Sequence, residues 1–199
     1  MNFVLPDGVK ALIFDLDGTL ADTMPLHMKA WREACKSFGM DMSSDFLRMF
    51  TGTPGINIAR AIIKEYAKEG LVDPEDISTR KKEMFTDLQH LVKEVGPVAD
   101  IVRRYHSVIP VALGTGGPRN TVLRTLEVIG MKQYFDHIVT ADDVTNHKPH
   151  PETFLKCAGL LKVPPADIIV FEDGDLGLQA AKEAGMQPVD VRGWYKYSW

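Results

Sequence analysis

Short apolar runs alternate with helical patterns along most of this chain, and that alternation restricts the fold more than any other feature of the sequence. The runs have the length and composition of buried strands: Val9–Phe14, Val108–Leu113, His137–Thr140, Ile168–Phe171 and, more weakly, Pro188–Val191. Helical periodicity fills the intervals, as in Arg119–Ile129 and Pro151–Leu161. Strands separated by helices form parallel sheets covered on both faces. We therefore predict a doubly wound, Rossmann-like α/β fold.

The interval after the first strand is much longer than the others. Between Thr23 and about Glu94 the sequence shows helical periodicity without a strand pattern, and Asp73-Pro74-Glu75 has the residues of a helix start. An insert of about 70 residues is too long for a loop. We expect an α/β core of residues 1–22 and 95–199 and a helical cap of residues 23–94. The linkers would be Ala21–Pro25 and Val95–Pro97, which contain residues that break helices.

Composition excludes several classes of protein. The net charge of −4 argues against nucleic acid, which requires a basic surface. No run approaches the ~20 apolar residues that span a bilayer, and Met1–Lys10 lacks the unbroken apolar stretch of a signal peptide. Cys35 and Cys157 are expected to be reduced, buried thiols. We expect a cytoplasmic protein that binds neither nucleic acid nor membrane; the oligomeric state stays open.

The first two predicted strands are followed by polar residues that could bind phosphate or take part in catalysis. Asp15 and Asp17 follow the first strand two positions apart, so their carboxylates would point the same way. Thr115 and Gly116 follow the second strand, where a hydroxyl and flexible backbone precede a helix. Such a hydroxyl and the amides beside it bind phosphate well. Ligands of open α/β sheets bind at this end of the strands.

The third and fourth strands continue the pattern. Lys148 lies between His147 and Pro149 ahead of a helix, and Glu172-Asp173 ends the fourth strand. Clustered carboxylates repel one another unless a cation offsets them, and oxygen ligands suit Mg²⁺. One carboxylate can attack phosphorus, while another protonates the leaving oxygen and later deprotonates water. Four strand ends that supply these groups in order predict a phosphoryl-transfer site.

The segments Asp15–Thr19, Thr115, Lys148-Pro149 and Glu172-Asp173 resemble the four motifs of the haloacid-dehalogenase superfamily. The resemblance implies that Asp15 is the nucleophile and Asp17 the general acid/base. It implies that Thr115 and Lys148 grip the phosphoryl group. It further implies that Mg²⁺ is held by Asp15, the Asp17 backbone carbonyl and Asp173, with Glu172 as a direct or neighbouring ligand.

The helical insert resembles the cap of the β-phosphoglucomutase-like subgroup, and within it the chain is most similar to phosphatases of fructose 1-phosphate and 6-phosphogluconate. The resemblance implies sugar phosphates as substrates. It gives His27 the place of a hinge histidine and Lys81 the place of a cap lysine that points at substrate. Taken alone, both residues also fit an exposed helix surface. Gly52 belongs either to a cap loop over the pocket or to a turn between helices.

Two departures from the subgroup bear on the reaction. Relatives carry Ser or Asn where this chain has Gly117, and the resembling mutases carry Arg where it has Gly55. Loss of that Arg favours a phosphatase over a phosphosugar mutase, which must grip a second phosphate. A signalling receiver domain also combines an acid cluster, Thr and Lys, but it needs neither Asp17 nor the cap. We predict a Mg²⁺-dependent phosphoric monoester hydrolase that acts on small phosphorylated metabolites.

Overall fold

The computed structural model describes residues 3–48 and 55–196. The chain divides into two compact units, residues 1–22 with 92–199 and residues 23–91. In chain order the strands are β1 (Ala11–Phe14), β2 (Ala21–Asp22), β3 (Lys93–Glu94), β4 (Val111–Gly114), β5 (His137–Val139), β6 (Ile168–Glu172) and β7 (Gln187–Asp190). The helices are α1 (Met24–Ser37), α2 (Ser44–Arg48), α3 (Gly55–Glu65), α4 (Pro74–Leu88), α5 (Gly96–Tyr105), α6 (Arg119–Val128), α7 (Glu152–Leu161) and α8 (Asp175–Glu183).

A parallel sheet forms the centre of the first unit. Its described strands lie in the order β5-β4-β1-β6-β7, and every pairing among them is parallel. β1 is central: Leu12 pairs with Val111 on one side and Ile169 on the other. All four residues of β1 are buried, as expected for a strand covered on both faces. The predicted α/β fold with a parallel sheet is confirmed.

Helices of the same unit pack their apolar residues onto this sheet. Phe154 and Cys157 of α7 and Ala180 of α8 join Ile13 and Val170 in one buried cluster. Because parallel strands all end at the same edge, β1, β4 and β6 deliver their following residues to one place. That edge is where Asp15, Thr115 and Asp173 emerge.

The second unit is helical. Trp31 and Cys35 of α1, Ile62 of α3 and Ile77 of α4 belong to its buried core. The predicted start of α4 is confirmed: Asp73 is the N-cap, its side chain accepts the Glu75 N–H at 2.9 Å, and Pro74 opens the helix. The second unit is thus held by its own apolar core.

Two short strands were not predicted. β2 and β3 pair antiparallel, with Ala21 opposite Glu94 and Asp22 opposite Lys93. The sequence pattern predicts a linker at Ala21-Asp22 and places Lys93-Glu94 in the helical insert. Two residues are too few to show the alternation of a strand. Because the pairing joins segments far apart in sequence, no local sequence pattern predicts it. The expected linker Val95–Pro97 instead contains the first turn of α5.

Smaller differences concern strand ends and side chains. β4 begins at Val111 rather than Val108, because Val108 and Ile109 both donate their amides to Tyr105 in a turn. Cys35 and Cys157 are buried free thiols, and burial raises the pKa of each to about 12. Across the parts of the chain that are described, none of the helices combines the length and apolarity that a membrane crossing demands.

Candidate active site

Asp15 follows the central strand and lies at the middle of a charged cluster. Its side chain is buried, and its amide donates to the Phe171 carbonyl at 3.0 Å, which continues the pairing of β1 with β6. Lys148 Nζ lies 2.7 Å from Asp15 Oδ1. A buried carboxylate beside a buried ammonium is fixed in orientation, because each side chain is held by the other.

Lys148 uses its ammonium to join three elements. Besides Asp15, it donates to Glu172 Oε1 at 2.8 Å and to the Gly114 carbonyl at 3.2 Å. Lys148 Nζ also lies 4.6 Å from the centroid of the Phe154 ring. Burial alone would lower the pKa of Lys148, but the charges of Asp15 and Glu172 raise it above its usual value. Lys148 is therefore a fixed positive charge.

Asp173 and Glu172 bring the ends of β6 and β1 together. Thr19 donates its hydroxyl to Asp173 Oδ1 at 2.8 Å. Gly18 has a φ of +86°, and a Cβ there would lie 2.2 Å from Asp173 Oδ2. Position 18 thus requires glycine for two reasons: the backbone is in the left-handed region, and the Asp173 carboxylate lies too close for a side chain. Glu172 Oε2 accepts the Gly174 amide at 2.6 Å, so both of its oxygens have partners.

Asp17, Thr115 and Gly117 lie beside this cluster. A Cβ at position 117 would be 3.5 Å from Asp17 Oδ2 and 3.6 Å from Thr115 Oγ1. The Gly117 amide donates to Thr115 Oγ1 at 3.1 Å, which leaves the Thr115 proton to be donated elsewhere. A side chain added to Gly116 would meet open space. The phosphate-binding segment predicted at Thr115-Gly116 is therefore next to the predicted acid/base.

Negative charge exceeds positive charge in this cluster. Burial raises the pKa of Asp15 well above its usual value, and Glu172 and Asp173 add to the effect while Lys148 opposes it. Burial, with the charge of Glu172, raises the pKa of Asp173 to about 7, although the Thr19 hydrogen bond opposes this. Carboxylates that resist ionisation in this way are stabilised by a further cation.

The donor set fits a divalent metal ion. Among the described residues, Asp15, Glu172 and Asp173 form a group whose ligand oxygens lie within 4.8 Å of one another. All are hard oxygen donors, which suit Mg²⁺ rather than softer metals. The side chain of Asp17, which was also predicted as a metal residue, does not belong to this group.

The cap residues form a cluster of their own in the second unit. Lys81 Nζ of α4 lies 2.8 Å from His27 Nδ1 of α1, and the His27 ring stacks on Phe85 with 3.9 Å between centroids. Lys81 Nζ is also 5.6 Å from the Trp31 ring centroid. Lys81 therefore contacts His27 and aromatic rings rather than lying on a wholly solvated face. Gly52 lies outside the described residues.

Two residues that support the cluster, Thr19 and Gly177, were not predicted from the sequence. Thr19 was not assigned the contact to Asp173, and Gly177 was not singled out at all. A Cβ at position 177 would lie 1.7 Å from Glu172 Oε1. A glycine inside a helix lowers the stability of the helix by about 1 kcal/mol relative to alanine. Its presence at position 177 of a predicted helix was the feature of the sequence that could have indicated a close contact there.

A family model described as haloacid dehalogenase-like hydrolase matches residues 12–191. The chain belongs to this family. The match begins within β1 and ends just after β7, so it includes Asp15, Thr115, Lys148 and Asp173.

Individual relatives agree with the family. The chain is 41% identical over 181 residues to the fructose-1-phosphate phosphatase YqaB of Escherichia coli, covering 91% of this chain and 95% of that protein. It is 33% identical over 185 residues to a phosphorylated carbohydrates phosphatase of Thermotoga maritima, covering 91% and 84% respectively. The β-phosphoglucomutase structure from Clostridium difficile aligns with a TM-score of 0.80 at 27% identity, over 92% of this chain and 84% of that one. The predicted family and enzyme class, a haloacid dehalogenase-like phosphatase, are confirmed.

Proposed function

We propose that this phosphatase hydrolyses small sugar phosphates, with fructose 1-phosphate among its better substrates, in a Mg²⁺-dependent reaction through a phosphorylated Asp15. One observation carries the proposal: Asp15 is held 2.7 Å from Lys148 and shares a cluster with Glu172 and Asp173 whose ligand oxygens lie within 4.8 Å of one another. This arrangement supports the proposal, because the proposed nucleophile, a cation and the proposed metal ligands lie together at one edge of the sheet.

Asp15 acts as the nucleophile in this proposal. One of its oxygens bonds to phosphorus while the bond from phosphorus to the sugar oxygen breaks. Lys148 holds the Asp15 carboxylate through Oδ1 and offsets the charge of the phosphoryl group. Without that cation, two anions would have to approach each other in a buried site.

Asp17 is the general acid and base. It donates a proton to the departing sugar oxygen, so the leaving group is an alcohol rather than an alkoxide. It then accepts a proton from the water that attacks phosphorus, and the bond between phosphorus and Asp15 breaks to release phosphate. Its nearness to Gly117 and Thr115 supports this assignment, since the leaving oxygen lies beside the bound phosphoryl group.

Thr115 and Gly116 bind the phosphoryl oxygens. The Thr115 hydroxyl is oriented by the Gly117 amide and has its own proton to donate. The segment leads into the N-terminus of α6, where backbone amides favour an anion. Asp15, Asp173 and the Asp17 carbonyl would hold Mg²⁺, with Glu172 beside it; the ion would withdraw charge from the phosphoryl oxygens.

The cap supplies sugar specificity. His27 and Lys81 are paired at 2.8 Å and present an ammonium and an imidazole side by side, groups suited to the hydroxyls and oxygens of a sugar. The sugar-phosphate phosphatases among the relatives support the same substrate class.

A phosphate-release assay over sugar phosphates and generic phosphomonoesters, with and without Mg²⁺, tests the proposal. Mg²⁺-dependent release from fructose 1-phosphate at a higher kcat/KM than from p-nitrophenyl phosphate supports it. Release that is equal with Mg²⁺ and with excess EDTA would contradict it.

Likeness to a β-phosphoglucomutase structure favours a second candidate, a phosphosugar mutase. A mutase must keep a sugar bisphosphate bound while this intermediate reverses its orientation in the site. Holding the second phosphate needs a cation where this chain has Gly55. β-Glucose 1-phosphate with a catalytic amount of the 1,6-bisphosphate distinguishes the two. Glucose 6-phosphate forming faster than phosphate leaves fructose 1-phosphate would establish the mutase instead.

A further inference from the structure

The phosphate-binding segment is tied to a turn that leaves the next strand. The Ala141 amide donates to the Gly117 carbonyl at 3.0 Å, and the Arg119 amide donates to Asp142 Oδ2 at 2.9 Å. Both contacts run between the loop after β4 and the turn after β5. The loop that begins at Thr115 is therefore fixed at its far end by hydrogen bonds to the turn.

Asp143 is the centre of that turn. Its Oδ2 accepts from the Thr140 amide at 2.7 Å, from the Thr140 hydroxyl at 2.7 Å and from the Arg119 guanidinium at 2.5 Å. Burial would raise the pKa of Asp143, but hydrogen bonds from Arg119 and Thr140 outweigh it and lower the pKa to about 2. The carboxylate is thus charged at neutral pH, and Arg119 is bound to the turn through both backbone and side chain.

The same turn also leads to Lys148. Lys156 donates to the Asp143 carbonyl and forms an ion pair with Glu152 at 3.1 Å. Glu152 accepts the Thr145 amide at 3.0 Å and the Asn146 amide at 2.9 Å. Residues 140–146 are therefore held by hydrogen bonds near both ends of the segment, and Lys148, the second residue proposed to bind phosphate, follows shortly after it.

We propose that Asp143 and Arg119 are positioning residues that hold the Thr115–Gly117 loop in its phosphate-binding geometry, and we name this ion pair the loop clamp. The proposal rests on the proposed function, since the loop matters only if it binds phosphate. Neither residue touches the reacting atoms. Asp143 orders the turn whose Ala141 amide holds the Gly117 carbonyl, and Arg119 fixes the start of α6 to the same turn. An ion pair whose two side chains are partly exposed to solvent contributes little to stability, so the effect of the loop clamp should appear in phosphate binding.

Binding of inorganic phosphate, measured by isothermal titration in the presence of Mg²⁺, tests the loop clamp without any turnover. Asp143→Asn keeps the size of the side chain and an oxygen for Thr140 but loses the charge paired with Arg119. We expect its phosphate Kd to rise about tenfold or more, because small displacements of positioned groups carry large penalties. Glu127→Gln removes an exposed ion pair to Lys132 at the other end of α6 and should leave the Kd unchanged.

Three further variants separate positioning from simple destabilisation. Arg119→Lys retains a charge for Asp143 and should bind phosphate more tightly than Arg119→Ala does. Arg119→Ala combined with Asp143→Asn should lose no more affinity than the worse single variant, because both changes break one interaction. A phosphate Kd in Asp143→Asn equal to that of the parent, even with a lowered melting temperature, would overturn the loop clamp. Failure of the parent itself to bind phosphate would overturn the proposed function and the loop clamp with it.

Discussion

The carboxylate of Glu172 occupies the space that any side chain at position 177 would need. A Cβ there would lie 1.7 Å from Glu172 Oε1, and Gly177 is within α8. Glu172 is in turn the partner of Lys148 at 2.8 Å. Gly177 therefore weakens α8 but leaves free the space that the Glu172 carboxylate occupies.

We expect Gly177→Ala to displace Glu172 and thereby to move Lys148. Because a misplaced charge in such a site is costly, kcat/KM should fall about a hundredfold. Gly159→Ala is the matched control: it also lies in a helix, α7, but a Cβ there meets open space. That variant should keep full activity and gain about 0.5–1 kcal/mol of stability. Equal activity in the two variants would refute the role of Gly177.

Chelation tests the metal site. The oxygens of Asp15, Glu172 and Asp173 form a group that suits Mg²⁺, so excess EDTA should abolish turnover and Mg²⁺ should restore it. Mg²⁺ should also raise the melting temperature of the parent, by mass action on the folded state. Asp173→Asn should lose that increase. Asp100→Asn, at an exposed position far from the cluster in sequence, should keep it. An increase retained by Asp173→Asn would contradict the assignment.

The cap cluster predicts a substrate-dependent effect. Lys81→Met and His27→Ala should lower kcat/KM for fructose 1-phosphate about tenfold and change it little for p-nitrophenyl phosphate, because remote contacts help only substrates that reach them. Lys82→Met, an exposed neighbour in the same helix, provides the comparison. Proportional losses on both substrates would show that the pair supports the fold of the cap rather than sugar specificity.

Stability should depend on pH through Asp143. Its folded-state pKa of about 2 lies below the usual 3.8, so the ionised carboxylate stabilises the folded protein above about pH 4. That stabilisation is lost as the pH falls from 3.8 toward 2. Asp143→Asn should therefore melt about 2 °C below the parent at neutral pH, with the difference shrinking in acid. A difference that stays constant down to the lowest accessible pH would contradict the shifted pKa.

Local pattern and long-range pairing explain what the sequence could and could not predict. The apolar residues of β1 predict a buried strand, and Asp15, Thr115, Lys148 and Asp173 could be named as candidate site residues because each follows a strand or precedes a helix. β2 and β3 were missed because their pairing joins Ala21 to Glu94. Arg119 and Asp143 were missed for a similar reason: charged residues at helix starts are common, and only the fold brings these two together.

The proposed roles of the two aspartates separate in one experiment. Asp15→Asn removes the nucleophile and should abolish both turnover and covalent phosphate. Asp17→Asn leaves the nucleophile in place but removes the acid and base, so it should slow turnover about 10²–10⁴-fold. Asp7→Asn, outside the site, controls for handling of the variants.

The most direct test of the account is acid quench of the parent enzyme during turnover of fructose 1-phosphate with Mg²⁺, followed by mass spectrometry of its peptides. We predict one phosphoryl group on the peptide that contains Asp15, at the Asp15 side chain, and none in Asp15→Asn. Phosphate release at a near-normal rate from Asp15→Asn, or a phosphoryl group on another residue, would contradict the assignment of Asp15 as nucleophile.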